Sequence, residues 1–222
     1  MNSGFFITGT DTDSGKTVVT LGLMRLLQDR GYRVAAMKPV AAGAEQTIYG
    51  WRNSDALQLQ AQSTGLIDYA TLNPYLFEPP IAPHLAARQA GVAIDFSRIR
   101  HCFDELADQV DWVVVEGAGG WRVPLGEDGA IAELAVSLEL PVILVVGLKL
   151  GCINHALLSV ESILTSGANL IGWVGSQVDP DMRFVEGNVE TLKKSIDAPC
   201  LGIVPHLEPS AVSTAYQFLQ LP

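Results

Sequence analysis

A chain of 222 residues with 48% hydrophobic and 17% charged side chains can build a sizeable core, which excludes a disordered or fibrous class. Its 24 acidic against 14 basic side chains leave a formal net charge of −10, so nucleic acid and anionic lipid are not expected partners. Cys102, Cys152 and Cys200 form no close pair, which argues against a disulfide framework or a zinc site and for a reducing cytoplasm. No basic and then apolar leader opens the chain, and the longest apolar stretch, 141–148, falls well short of the ~20 residues of a bilayer span. A single α/β domain over 1–222 is expected.

In chain order, the residue pattern predicts a strand at 4–8, helix at 17–30, strand at 33–37, helices at 55–62 and 95–109, and a strand at 112–115. It continues with a helix at 131–138, strand at 142–146, helix at 154–166, strand at 170–174, helix at 185–196 and strand at 201–204. The strand runs are almost continuously apolar, as parallel strands covered on both faces must be. Their alternation with helices predicts a doubly wound, mainly parallel sheet in three α/β/α layers. Gly31 stands where a left-handed residue ends the first helix. The irregular stretch 39–54 is too long for an idle connection and reads as functional. The stretch 73–83, with Pro74, Pro79, Pro80 and Pro83, reads as a surface connection.

The strongest chemical signal is Gly9-Thr10-Asp11-Thr12-Asp13-Ser14-Gly15-Lys16-Thr17, between a predicted strand and a predicted helix. Backbone amides of such a loop turn inward on an anion, the helix start adds about half a positive charge, and Lys16 supplies a mobile cation for outer phosphates. Thr17 would offer its hydroxyl to Mg²⁺. The loop is one residue longer than the standard P-loop, hence a variant of it. Glu116 ends an apolar strand just before Gly117-Ala118-Gly119-Gly120, on the side where an open α/β sheet binds ligands, which favours a metal role over a water-facing charge. Lys38, at the end of the second strand, is either a solvated surface lysine or a second phosphate cation; if strands 4–8 and 33–37 are neighbours, both ends meet one phosphate. Asp55 is either a dipole-complementing acid at a helix start or a ligand. Gly151-Cys152-Ile153-Asn154 opens a helix whose free N–H groups suit a carboxylate, the alternative being a plain helix start held by Asn154.

Taken together, GTDTDSGKT, MKPVAAG, RNSDAL, EGAGGW, LPVILVVGLKLGCINHA and GWV resemble the dethiobiotin synthetase family, over 6–205. The resemblance implies a P-loop NTPase-type fold and an ATP- and Mg²⁺-dependent homodimeric carboligase. Its substrates would be 7,8-diaminopelargonic acid and CO₂ or bicarbonate, joined through a carbamate and a carbamic–phosphoric anhydride into dethiobiotin. By position it implies Lys16, Lys38 and Thr12 as catalytic residues and Thr17, Asp55 and Glu116 as the Mg²⁺ shell. It implies a nucleotide site of Asp13, Ser14, Gly15, Lys16, Thr17, Val18, Asp55, Glu116, Gly117, Ala118 and Gly119, with Ser176, Gln177, Pro205, His206 and Leu207. The substrate site would comprise Thr12, Lys38 and Ala42, with Gly151, Cys152, Ile153 and Asn154 supplied by the partner subunit to the distal carboxylate. Ala42 stands where the family has a serine, Ser176 and Gln177 where an Asn-Asp pair reads adenine, and Gly187 where a tyrosine nears the carboxylate. Each lost hydrogen bond is worth about 0.5–1.5 kcal/mol, so weaker binding is expected, not an inactive enzyme.

His84, His101, His155 and His206 share no metal spacing, and Trp51, Trp112, Trp121 and Trp173 are assigned to packing. Arg122 is a candidate for the crevice. A rival reading is a nucleotide switch of the partition or septum-positioning kind. Such switches carry an early lysine in the loop, where Asp11 and Thr12 stand here, and the tail 210–222 has no basic residue. A small-molecule kinase would account for the loop and Glu116 but not for Lys38 or the Gly-Cys-Ile-Asn segment.

Overall fold

All six apolar runs become strands of one sheet. In chain order the computed structural model, which describes residues 3–127 and 129–222, begins with β1 (Ser3–Gly9), α1 (Lys16–Asp29), β2 (Val34–Met37), β3 (Val40–Ala42), β4 (Glu45–Thr47), β5 (Gly50–Arg52), α2 (Ser54–Gln62), α3 (Tyr69–Leu72), β6 (Tyr75–Phe77), α4 (Pro83–Gln89) and α5 (Phe96–Ala107). It continues with β7 (Trp112–Gly120), β8 (Pro124–Gly126), β9 (Gly129–Ala130), α6 (Ile131–Ser137), β10 (Val142–Leu148), α7 (Cys152–Thr165), β11 (Leu170–Gln177), α8 (Val185–Ser195), β12 (Cys200–Val204) and a 3-10 helix at Pro209–Phe218. The central sheet has the order β12-β11-β10-β1-β7-β2, and every pair is parallel.

Side chains of β1 alternate between two cores. Phe5 and Ile7 pack with Val19, Leu23 and Leu27 of α1, and Phe6 packs on the opposite face with Ile131, Leu134 and Trp121. Fully burying one such side chain contributes about 1.5–3 kcal/mol, which is why the strands lack polar alternation. The chain leaves β1 toward β2 and β7 on one side and toward β10, β11 and β12 on the other, so the order reverses at β1 and a crevice opens at its carboxyl end. Among the described residues no helix is long and apolar enough to cross a membrane.

Three expectations change. β7 lies between β1 and β2, so the strands bearing the phosphate loop and Lys38 are not neighbours. The 39–54 stretch is not irregular throughout: it holds β3 and the β4–β5 hairpin, whose apolar Ile48 and Tyr49 stay exposed with Trp51. The proline-rich stretch is no mere surface connection, because β6 pairs with β3 and buries Tyr75 and Phe77, and Pro83 then opens α4. Prolines exclude helix interiors but not an edge strand or a helix's first turn.

Candidate active site

The phosphate loop begins where β1 ends. Thr10 N–H donates to Val145 O at 2.9 Å, and Gly147 N–H donates to Thr10 Oγ1 at 3.2 Å, which ties the loop to β10. Gly15, at φ 87°, precedes α1; a Cβ there would lie 2.2 Å from Ser176 Oγ, so only glycine fits. Asp13 also has positive φ, at 55°. Gly15 offers no side-chain cap, so the first amides of α1 remain for an anion. Lys16 is buried, and its Nζ donates to Asp11 O at 2.8 Å. Burial foremost lowers its pKa to about 8, against the attraction of Glu116.

Glu116 sits in β7 opposite Ile7 of β1 and is 0% exposed. An isolated buried carboxylate would cost several kcal/mol, and here the compensation comes across the sheet. Lys38, at the end of β2, places Nζ 2.5 Å from Glu116 Oε1 and 2.8 Å from Asp55 Oδ2. Burial alone would lower the Lys38 pKa, but Glu116 and then Asp55 hold it well above its ordinary value. Thr17 Oγ1 donates to the same Glu116 oxygen at 3.0 Å, while Glu116 Oε2 is buried without a hydrogen-bond partner. Asp55 lies in the first turn of α2, which Asn53 caps by accepting Ala56 N–H at 3.2 Å.

These groups face one cleft of about 600 Å³. Of the predicted residues, Thr12, Asp13, Gly15, Lys16, Thr17, Val18, Lys38, Ala42, Asp55, Glu116, Ala118 and Gly119 line it together. Sequence reasoning missed Asn53 and the facing rim Pro80–Pro83, for which the proline cluster was the available signal. Ser14 is buried beneath the loop, and Gly117 packs against Phe6 and Ile131. Ser176 is buried behind Gly15. Gln177, Pro205, His206 and Leu207 gather beyond the carboxyl ends of β11 and β12, with His206 Nδ1 3.3 Å from Gln177 O.

Gly151, Cys152, Ile153 and Asn154 form the start of α7, outside the cleft lining. The helix is preceded by Gly151 at φ 93° with no side-chain cap, and Asn154 is exposed in the first turn, so the plain reading of an Asn154-held start does not apply. On α8, Asn188 Oδ1 lies 3.9 Å from Cys152 Sγ, and a Cβ on Gly187 would meet nothing within 4 Å. Arg122 points away from the cleft toward Glu133, at 3.9 Å, and exposed Trp51 is not a packing residue, whereas Trp121 and Trp173 are buried in the core.

Residues 3–213 match the family model described as an AAA domain. The chain is 54% identical to the ATP-dependent dethiobiotin synthetase BioD of Chromohalobacter salexigens, covering 91% of this chain and 90% of that one. It is 52% identical to the BioD of Pseudomonas aeruginosa, covering 94% and 93%. Among solved structures it resembles the MinC:MinD cell division complex of Aquifex aeolicus, with a TM-score of 0.59 at 19% identity over 97% of this chain and 86% of that one. It also resembles the signal recognition particle receptor FtsY of Elizabethkingia anophelis, with a TM-score of 0.58 at 13% identity; there it covers 99% of itself but spans only 63% of the FtsY chain. At such identities these two likenesses concern the fold alone, the P-loop NTPase type, whereas half-identity over nine-tenths of two chains shows the family. The chain therefore belongs to the family of ATP-dependent dethiobiotin synthetases.

Proposed function

We propose that this cleft converts 7,8-diaminopelargonic acid, CO₂ and ATP into dethiobiotin, ADP and phosphate. The observation that carries the reading is the meeting of two buried ammonium groups, Lys16 and Lys38, with Glu116, Asp55 and Thr17 at the mouth of a phosphate loop, in a chain half identical to dethiobiotin synthetases. Residues 1–222 act as one domain, in the cytoplasm, as a homodimer.

The loop amides of Asp13 to Val18 and the Lys16 ammonium take the phosphates, with Gly117 to Gly119 alongside. Ser176, Gln177 and Pro205 to Leu207 border the base. Lys38, Thr12 and Ala42 hold the reacting end of the diamine, and its distal carboxylate lies at the start of α7 in the partner subunit.

Thr17, Asp55 and Glu116 suit Mg²⁺: all offer hard oxygens, and the unpartnered Glu116 Oε2 is a buried acceptor still lacking a ligand. Among the described residues there is no group of three or more His, Cys, Asp or Glu that could hold a metal. When bound, the ion neutralises charge on the outer phosphate oxygens.

One amine of the diamine adds to CO₂, giving a carbamate that Lys38 holds beside the γ-phosphate. A carbamate oxygen attacks the γ-phosphorus and ADP leaves. The second amine attacks the carbon of the resulting anhydride, closing the urea ring and releasing phosphate. Lys16 and Lys38 offset negative charge through both steps, and the protein contributes positioning and electrostatics with no covalent nucleophile.

Phosphate release in bicarbonate buffer, with and without the diamine, tests this, with the product identified by mass. Diamine-dependent release with formation of dethiobiotin is expected. Release indifferent to the diamine would refute the assignment and return the switch ATPase.

A further inference from the structure

We infer that Tyr69 and Asn73, which lie outside the cleft lining, are positioning residues that hold Lys38 and Asp55 at their working separation. The inference rests on the proposed reaction for its kinetic readout, though not for its geometry.

Lys38 and Asp55 come from separate elements, the end of β2 and the start of α2, joined by a long excursion through β3 and the β4–β5 hairpin. Their alignment needs a shorter tie. Asn73 Nδ2 donates to Lys38 O at 2.7 Å, and Lys38 N–H donates to Leu72 O at 2.9 Å, so both backbone groups of Lys38 are held by this one segment. Tyr69 Oη donates to Asn73 Oδ1 at 3.2 Å and accepts Asn53 N–H at 2.9 Å. Asn53 in turn caps α2 two residues before Asp55. A single turn of helix, α3, carries Tyr69 and delivers Asn73 four residues later, so one rigid unit grips both catalytic segments.

The network is buried: Asn73 is 3% exposed and Tyr69 9%. Its members use nearly all their hydrogen-bonding capacity, since Asn73 Nδ2 also reaches Tyr75 O at 3.3 Å. The Arg52 guanidinium lies 4.2 Å from the Tyr69 ring centre, which fixes the ring's plane. Apolar side chains would fill the same space without such directional demands, whereas a satisfied polar network specifies one arrangement. The arrangement specified is the one that sets Lys38 Nζ 2.8 Å from Asp55 Oδ2.

Tyr69→Phe removes only the hydroxyl, and Asn73→Ala removes the amide. Tyr75→Phe is the control: its hydroxyl is similarly buried and accepts Asp95 N–H at 2.9 Å, but away from the cleft. Thermal unfolding, kcat at saturating substrates and the affinity for Mn²⁺ with ADP are measured for each. Tyr69→Phe and Asn73→Ala are expected to lower kcat and weaken Mn²⁺ binding about tenfold, since small misplacements of reacting groups cost rate heavily. The double variant should be no worse than the worse single one, because both break the same bridge. Tyr75→Phe should lose thermal stability alone. Wild-type kcat and Mn²⁺ affinity in a folded Tyr69→Phe would overturn the inference, and this near-isosteric variant decides the matter even if Asn73→Ala does not fold. Should the wild-type chain make no dethiobiotin, the proposed reaction fails, while the Mn²⁺ measurement still tests the positioning role.

Discussion

Lys38 and Glu116 are buried and bonded to each other across two adjacent strands, with Thr17 donating to the same carboxylate and Lys16 buried in the same cleft, whereas Gln177, His206 and the exposed Gly151 and Asn154 at the start of α7 lie at or near the surface with few side-chain partners. The contrast follows from solvation. Where the fold removes a carboxylate from water it must supply a cation at bonding distance, so the geometry is set before any ligand arrives. Where groups stay in water nothing forces their pairing, and the fold alone does not set their arrangement.

The sharpest test of that contrast is Lys38→Met. It leaves Glu116 buried without its ammonium, so a fall of several kcal/mol in stability is expected from denaturant unfolding, with turnover falling at least about a hundredfold. The same change should tighten Mn²⁺ binding, because Lys38 no longer shares the two carboxylates; unchanged or weaker binding would mean the site is not electrostatically competitive.

A smaller effect concerns Lys16. Its ammonium loses its proton near pH 8, and phosphate binds the charged form, so nucleotide affinity should fall as pH rises through about 8 and be restored below it. Calorimetry in buffers of different ionisation enthalpy should show proton uptake on binding at that pH; a flat profile from pH 7 to 9 would remove Lys16 from the phosphate site.

Away from the buried ion pair, effects should shrink to the worth of single hydrogen bonds. Ala42→Ser should lower the Michaelis constant for the diamine, and Gln177→Asp should raise the preference for ATP over CTP, each by about 2- to 12-fold. Equal affinities for ATP, CTP and GTP in both forms would show that the base is not read at Gln177. Smallest of all is Lys149→Met. The pair of Lys149 Nζ and Asp11 Oδ2, at 3.2 Å, is half-exposed, and such pairs contribute about 0–1 kcal/mol, so nucleotide affinity should change by no more than about fivefold.

Much of this was legible from local patterns. Continuous apolar runs announced all six sheet strands because burial on both faces leaves no room for polar alternation, and the loop 9–17 announced a phosphate site because its glycines and lysine act within a few residues of one another. The short elements β3 and β6 and the buried Tyr75 were obscured because their prolines and small residues signal turns locally, while the pairing that buries them is made across more than thirty residues.

Local pattern alone carried the parallel α/β class, the phosphate loop with Lys16 and the candidate metal role of Glu116, since each depends on residues near one another along the chain, and it left Lys38 open. Folding in three dimensions was needed to show that β7 runs between β1 and β2, that Lys38 meets Glu116 78 residues away, that Asn188 approaches Cys152 at the start of α7, and that Tyr69 and Asn73 join Lys38 to the segment before Asp55. Strand order and buried polar pairing are settled by which surfaces exclude water together, and no local pattern of residues carries that information.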